Sequence, residues 1–358
     1  IPLKTSAEDL VFERERFLHP QAGCLFLRNC STLTDVAERV RFHHMYWEKA
    51  RDKGLAAREG CLINIADRVD VSLRGNPDFR EAVKSAERNV RERRPGIYSP
   101  AHIEAMRDVL HDGETLDDLS EAHIRLPGFI RRRYGGQTLD SREIIQFSTL
   151  FGHIIDSCSP FTATHSTGVA NAALALGRLA GMEQDDLDTL FVAGMLHDIG
   201  KLGIPTALLE KPGPLTAEEF PKVQRHADLS RLWLNAIPGF ERVSLWGGGH
   251  HERLDGTGYP LGLTGEEISA PARIMAIADV FTALTEDRPY RKGMTPPEAL
   301  RIVEGMVSRG HLDGDLVKLL RENAEEIDAV RASTQTEARQ GFQDLHEACA
   351  EPDDLLRD

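Results

Sequence analysis

The sequence predicts an all-α protein, and two observations carry that reading. Helical periodicity recurs along most of the chain, while few stretches alternate with the period of two that a half-buried strand shows. Aromatic residues make up only 6% of the composition against a background of aliphatic side chains and alanine, which suits helix-on-helix packing. With 358 residues the chain has room for two or three domains and a substantial core.

The elements follow in order. Residues 166–179 and 185–197 read as helices, with Gly181 as the stop between them. Thr216 is an N-cap, and Glu219 three residues later completes a capping box for the helix that carries His226. Gly256, Gly258 and Pro260 break any regular element, so that stretch is a loop. Residues 268–285 are apolar at helical spacing and present Asp279 from within. Pro296-Pro297 starts a further helix, where proline is tolerated in the first turn. From about Asn323 the chain is acidic and helix-prone, and reads as an appendage. The expected domains are 1–137, 138–330 and an acidic helical tail, 331–358.

Composition also excludes classes of function. A net charge of −14 argues against a general binder of polymeric nucleic acid or of a membrane surface. No apolar run approaches the roughly 20 residues that span a bilayer, and no signal peptide is visible. The five cysteines are odd in number and show no CxxC spacing, which points to a reducing cytoplasm. Because the chain begins at Ile1, an upstream segment is expected.

The most informative feature is a dispersed set of metal-ligating residue types. His197-Asp198 lies in LHDIGKLGIP and His250-His251 opens HHERLDGTGYP; His165, His226 and Asp279 complete the series. Imidazoles and carboxylates together hold first-row metals, and one carboxylate can bridge two ions about 3.5–4 Å apart. Five segments bearing such residues are what a two-metal hydrolytic site needs.

These motifs resemble the HD-GYP phosphodiesterases, a branch of the HD phosphohydrolases that cleaves cyclic di-GMP. The likeness spans residues 156–320 and includes HDIGK (197–201), KPGPLTAEEF (211–220), HHERLDGTGYP (250–260) and DRPYR (287–291), in the family's order. It implies an HD-domain helical bundle with two divalent metal ions, iron first and then manganese. Asp198 would bridge the ions; His165, His197 and Asp279 would hold one, and His226, His250 and His251 the other. Lys201 would contact a phosphate oxygen or give a proton to the leaving oxygen. Arg288 and Arg291 would form a substrate arm with Gly258, Tyr259 and Pro260 of the GYP loop. Some relatives carry a glutamate four residues before the first histidine and hold a third metal; here that position is Phe161, so two metals are expected, with linear pGpG as the main product and GMP beyond it. The implied function is cyclic di-GMP hydrolysis. A non-catalytic cyclic-dinucleotide receptor, or an HD phosphohydrolase acting on another nucleotide such as cyclic GMP-AMP, stands as the alternative. Homodimerisation, and signalling partners at the GYP loop or N-terminal domain, are open on this reading.

A second pattern lies in the first third. His226 precedes His250-His251 by 24 residues, and His19 precedes His43-His44 by the same 24. Ile277-Ala278-Asp279 recurs as Ile65-Ala66-Asp67, and Ile204-Pro205 as Ile1-Pro2. Residues 1–137 are therefore read as a diverged, substrate-incompetent HD-like helical domain, truncated at its N-terminus. The copy has no GYP, and GNPDF (75–79) stands where DRPYR would align, so Asn76 and Phe79 replace the two arginines. Its four polar landmarks, His19, His43, His44 and Asp67, read as relics in a structural domain, with residual metal binding as the alternative.

Overall fold

The computed structural model describes residues 19–73, 78–92, 96–113, 138–157, 164–211, 213–287 and 291–350, apart from the side chain at 157 and six between 342 and 350. Arg288, Phe161, Asn76 and the Ile1-Pro2 pair lie outside the described residues. The fold is all-α: among the described residues there is no strand, and an isolated bridge pairs Asp255 with Thr264. No helix among them is long and apolar enough to cross a membrane. Two compact units emerge, Ile1–Leu139 with Asp344–Asp358, and Asp140–Gln343.

In the first unit the helices are α1 (19–28), α2 (Thr34–Arg41), α3 (Trp47–Ala50), α4 (Leu55–Leu73), α5 (Phe79–Arg91) and α6 (Pro100–His111). Asp78 caps α5 by accepting the amides of Arg80 and Glu81 at 3.0 and 3.1 Å. The buried positions of α5 are Ala82, Val83, Ala86 and Val90, one helical face. That face packs with Ile65 of α4 and with Met106 and Leu110 of α6.

The second unit contains α7 (Ser141–Ser157), α8 (His165–Leu179), α9 (Gln184–Leu196), α10 (Thr206–Leu209), α11 (Phe220–Asn235), α12 (Glu241–Gly248), α13 (Ala270–Thr285), α14 (Pro296–Ser308), α15 (Gly314–Glu322) and, as far as Gln343, α16 (Ala324–Ala350). Thr216 and Glu219 exchange the reciprocal hydrogen bonds of a capping box, at 2.8 and 3.3 Å, and α11 proper begins one residue later. The core lies where α8, α9 and α13 meet, with Leu176, Leu190, Met195, Ile274, Ile277 and Phe281 fully buried. Removing a ring as enclosed as Phe281 costs about 3–5 kcal/mol in typical cores.

The C-terminal segment differs from the tail expected from residue 331. It is helical from Ala324, and Ala324, Ile327, Arg331 and Gln335 are buried. Its acidic composition conceals a face that the second unit uses: Gln335 donates to the Thr164 carbonyl at 3.0 Å and to Glu286 at 3.3 Å.

Candidate metal centre

Five helix ends or faces deliver the polar cluster. His165 opens α8, His197 and Asp198 follow the last turn of α9, and His226 sits inside α11. His250 and His251 follow α12, and Asp279 projects from α13. Local sequence makes this convergence possible. A Cβ on Gly200 would stand 2.0 Å from the His226 carbonyl oxygen, so only glycine lets the turn after Asp198 touch α11; its amide donates to Ser230 Oγ at 2.9 Å.

The ligand atoms fall into three overlapping groups: His165, His197 and Asp279; His197, Asp198 and His250; and His226, His250 and His251. Within each group the atoms lie within 4.8 Å of one another. The two Asp198 oxygens face different histidines, Oδ2 toward His197 Nε2 at 3.2 Å and Oδ1 toward His226 Nε2 at 3.3 Å.

The imidazoles are oriented from behind. Nδ1 of His197, His226 and His250 donates to the carbonyls of Gly194, Val223 and Gly247, at 2.8, 2.6 and 2.5 Å. Those bonds fix the tautomer and turn each Nε2 lone pair inward, the arrangement typical of metal-ligating histidine. Nε2 of His197 and of His226 is buried without a hydrogen bond. Buried nitrogens of this kind beside carboxylates fit a divalent cation as their missing partner. Burial holds the His226, His250 and His251 rings below their usual pKa, with His251 brought down to about 4, so they are neutral and able to ligate near neutral pH.

The acids behave oppositely. Burial alone would raise Asp198, but the Lys201 ammonium and His197 outweigh it and hold the carboxyl well below its ordinary range. Lys201 forms an ion pair with Asp198 Oδ2, three residues along the turn. Burial works against the Lys201 charge too, and Asp198 more than compensates, raising its pKa. Asp279 accepts from or faces His165 Nε2 at 3.1 Å and is likewise held low against burial by that ring.

Several residues that sequence reasoning missed support this cluster. Glu286 brackets His165 Nδ1 with both oxygens at 3.2 Å, giving a carboxylate–imidazole pair behind Asp279. Gln335 in turn holds Glu286. Asp156 accepts the Ser166 amide and hydroxyl at 2.9 and 2.8 Å, and burial pushes its carboxyl up to about 7. Glu252 is buried and accepts the amides of Leu261 and Leu263 at 2.7 and 2.9 Å, pinning the far side of the GYP loop. The available signals were faint: Glu286 directly precedes DRPYR, and Glu252 directly follows His251.

The loop itself is tightly seated. A Cβ on Gly258 would come within 2.3 Å of the Arg253 nitrogen and 2.5 Å of Glu252 Cα, so its backbone lies against that strand of chain. The Tyr259 ring rests on His251 with centroids 4.6 Å apart, and Tyr259 N donates to the His251 carbonyl at 3.2 Å. A cleft of about 320 Å³ opens beside the cluster, lined by Phe220, His250, His251, Tyr259, Asp279 and Ala283 among others. Arg291 is half-buried, its Nη2 donating to the Ala283 carbonyl at 2.7 Å. Thus the seven ligand-type residues and Lys201 come together, Tyr259 lines the cleft, Gly258 packs against Glu252 and Arg253, and Arg291 is anchored at the Ala283 wall.

Residues 149–316 match the HD domain family. The chain is 33% identical over 319 residues to 3'3'-cGAMP-specific phosphodiesterase 1 of Vibrio cholerae serotype O1, covering 86% of this chain and 74% of the relative. It is 31% identical over 270 residues to a cyclic di-GMP phosphodiesterase of Pseudomonas aeruginosa, covering 73% of this chain and 60% of that protein. Among solved structures, a cyclic GMP-AMP specific phosphodiesterase of Vibrio cholerae superposes with a TM-score of 0.58 at 25% identity, over 89% of this chain and 74% of that one. The chain belongs to the HD-domain cyclic-dinucleotide phosphodiesterases of the HD-GYP branch.

Proposed function

We propose that this chain opens one phosphodiester of a guanine-bearing cyclic dinucleotide at a binuclear centre built on Asp198, converting cyclic di-GMP to linear pGpG. The observation that carries the reading is the split carboxylate: one Asp198 oxygen faces His197, on the side of His165 and Asp279, and the other faces His226, on the side of His250 and His251. A pair of divalent cations there, iron or manganese, would supply a water of lowered pKa and neutralise phosphate charge.

The chain's own residues set the rest. Backbone carbonyls orient three imidazoles from behind, so ligand geometry is established before any cation arrives. The Lys201 ammonium, tethered to Asp198, places positive charge beside the centre, where a phosphate oxygen gains charge in the transition state. Arg291, beside the cleft, brings a second cation suited to a phosphate or a guanine edge. The His251–Tyr259 ring contact offers an aromatic wall against which a base can lie.

A second reading exchanges the substrate for 3'3'-cGAMP, and a specific observation favours it. The relative matching 86% of this chain carries that specificity in its name, and so does the solved structure matching 89%. Purified chain loaded with Mn²⁺ or Fe²⁺ and offered each ring separately distinguishes the two. Accumulation of pGpG from cyclic di-GMP is the expected result; turnover of the mixed ring alone assigns the second reading. Binding of either ring without turnover, at full metal loading, contradicts both.

A further inference from the structure

The first unit contains a second three-histidine cluster that the hydrolytic centre does not use. Nε2 of His19 lies 3.1 Å from Nε2 of His43 and 3.0 Å from Nε2 of His44. These three rings form a group whose nitrogens lie within 4.8 Å of one another. We propose that His19, His43 and His44 bind a single first-row divalent cation, of the zinc or ferrous class, as a non-catalytic site.

Proton counting is the first argument. A ring Nε2 carries either one proton or one in-plane lone pair. It can donate to one neighbour or accept from one, so His19 Nε2 cannot satisfy both of its contacts by hydrogen bonding. His43 Nδ1 lies 2.5 Å from the Val40 carbonyl, so it holds the proton there and its Nε2 presents a lone pair to His19. His44 Nδ1 is 3.4 Å from the buried Asn64 amide group, which can donate to it or, turned over, accept from it. In either orientation one close nitrogen pair is left with no proton between its members or with two opposed. One cation satisfies all three. With metal–nitrogen bonds of about 2.0–2.1 Å, ligand nitrogens of one ion stand roughly 3–3.4 Å apart, which is the spacing seen.

The second argument is internal. His43 and His44 have ring centroids 4.1 Å apart at 40°, and His250 and His251 have 4.0 Å and 45°. His19 meets His44 at 4.7 Å and 83°, as His226 meets His251 at 5.2 Å and 89°. His43 Nδ1 bonds the carbonyl three residues back, as His250 Nδ1 does. The first unit thus repeats the ring arrangement and the backbone tether of one half of the hydrolytic centre. Its trio includes no carboxylate or lysine, so a cation there would be held without the Asp198–Lys201 pair. It would tie α1 at His19 to the turn after α2, with water completing its coordination.

The test compares metal content in the 358-residue chain saturated with Zn²⁺ and desalted. His19→Ala and His43→Ala should each lose one equivalent relative to the unsubstituted chain, with helicity retained by circular dichroism. The same one-equivalent difference should appear when each is combined with Asp198→Ala, which isolates this site from the hydrolytic centre. With Co²⁺ as the probe, the difference spectrum should show the visible bands of a ligated ion that vanish in His19→Ala. Unchanged metal content in either histidine variant overturns the proposal. A failure of Asp198→Ala alone to lose metal would instead count against the hydrolytic reading, so the two outcomes are separable.

Discussion

His226, His250 and His251 in the second unit, and His19, His43 and His44 in the first, present nearly the same rings to two different surroundings. Around the first trio stand Asp198, His197 and Asp279, with Lys201 against Asp198. Around the second stand Asn64, against His44, and Asp67, whose charge reaches His43 from α4. His226, His250 and His43 are each tethered to a carbonyl three residues back, which is a local feature of the chain. Hydrolysis needs more: a carboxylate shared between two ligand groups, a cation beside it and a cleft. Those depend on elements far apart in sequence meeting at one point.

The comparison can be broken or sharpened by substitution, and the largest effect is expected at Lys201. Lys201→Ala removes the charge beside Asp198 and should lower kcat by about 10²–10³-fold, the range seen when one oxyanion donor is lost, with metal content unchanged. Simultaneous loss of metal would make Lys201 a support of Asp198 and not a substrate contact. Glu286→Gln comes next. Loss of the carboxylate behind a ligating histidine weakens metal affinity by about 10–100-fold, so titration with Mn²⁺ should show a shift of that size while saturating metal restores turnover. Arg291→Ala should raise KM by about tenfold to a hundredfold, as the loss of a charged hydrogen bond of roughly 1.5–3 kcal/mol implies, leaving the metal in place. An unchanged KM would move substrate recognition toward Tyr259. The smallest effect is expected at His43: His43→Ala should leave turnover of the cyclic dinucleotide within about twofold, as expected of a site remote in function. A large fall would mean that the two trios act as one system.

What could be read from the sequence follows the range of each interaction. The helices expected at 166–179, 185–197 and 268–285 lie within one or two residues of α8, α9 and α13, because periodicity, glycine stops and proline starts are local. The Thr216–Glu219 box was legible for the same reason. His197-Asp198 and His250-His251 stand out as dipeptides, and His165, His226 and Asp279 join them only through the order of the family's motifs. Glu286 did not, since its partner His165 is 121 residues away and nothing beside Glu286 in the chain marks the pairing. Gln335 was hidden by an acidic, helix-forming neighbourhood that resembles a solvated tail, although 171 residues separate it from the Thr164 carbonyl it caps. The roles of Gly200 and Gly258 as contact points were also out of reach, because close backbone approach is a property of the packed partner and not of the glycine.

The account rests on Asp198 dividing its two oxygens between two cations. Anomalous diffraction from crystals of the 358-residue chain grown with Mn²⁺, recorded at the metal's absorption edge, tests it most directly. The expected map has two peaks about 3.5–4 Å apart, one between Asp198 and the His165, His197 and Asp279 group, the other between Asp198 and the His226, His250 and His251 group. A single peak, or two peaks of which one does not touch Asp198, would contradict it.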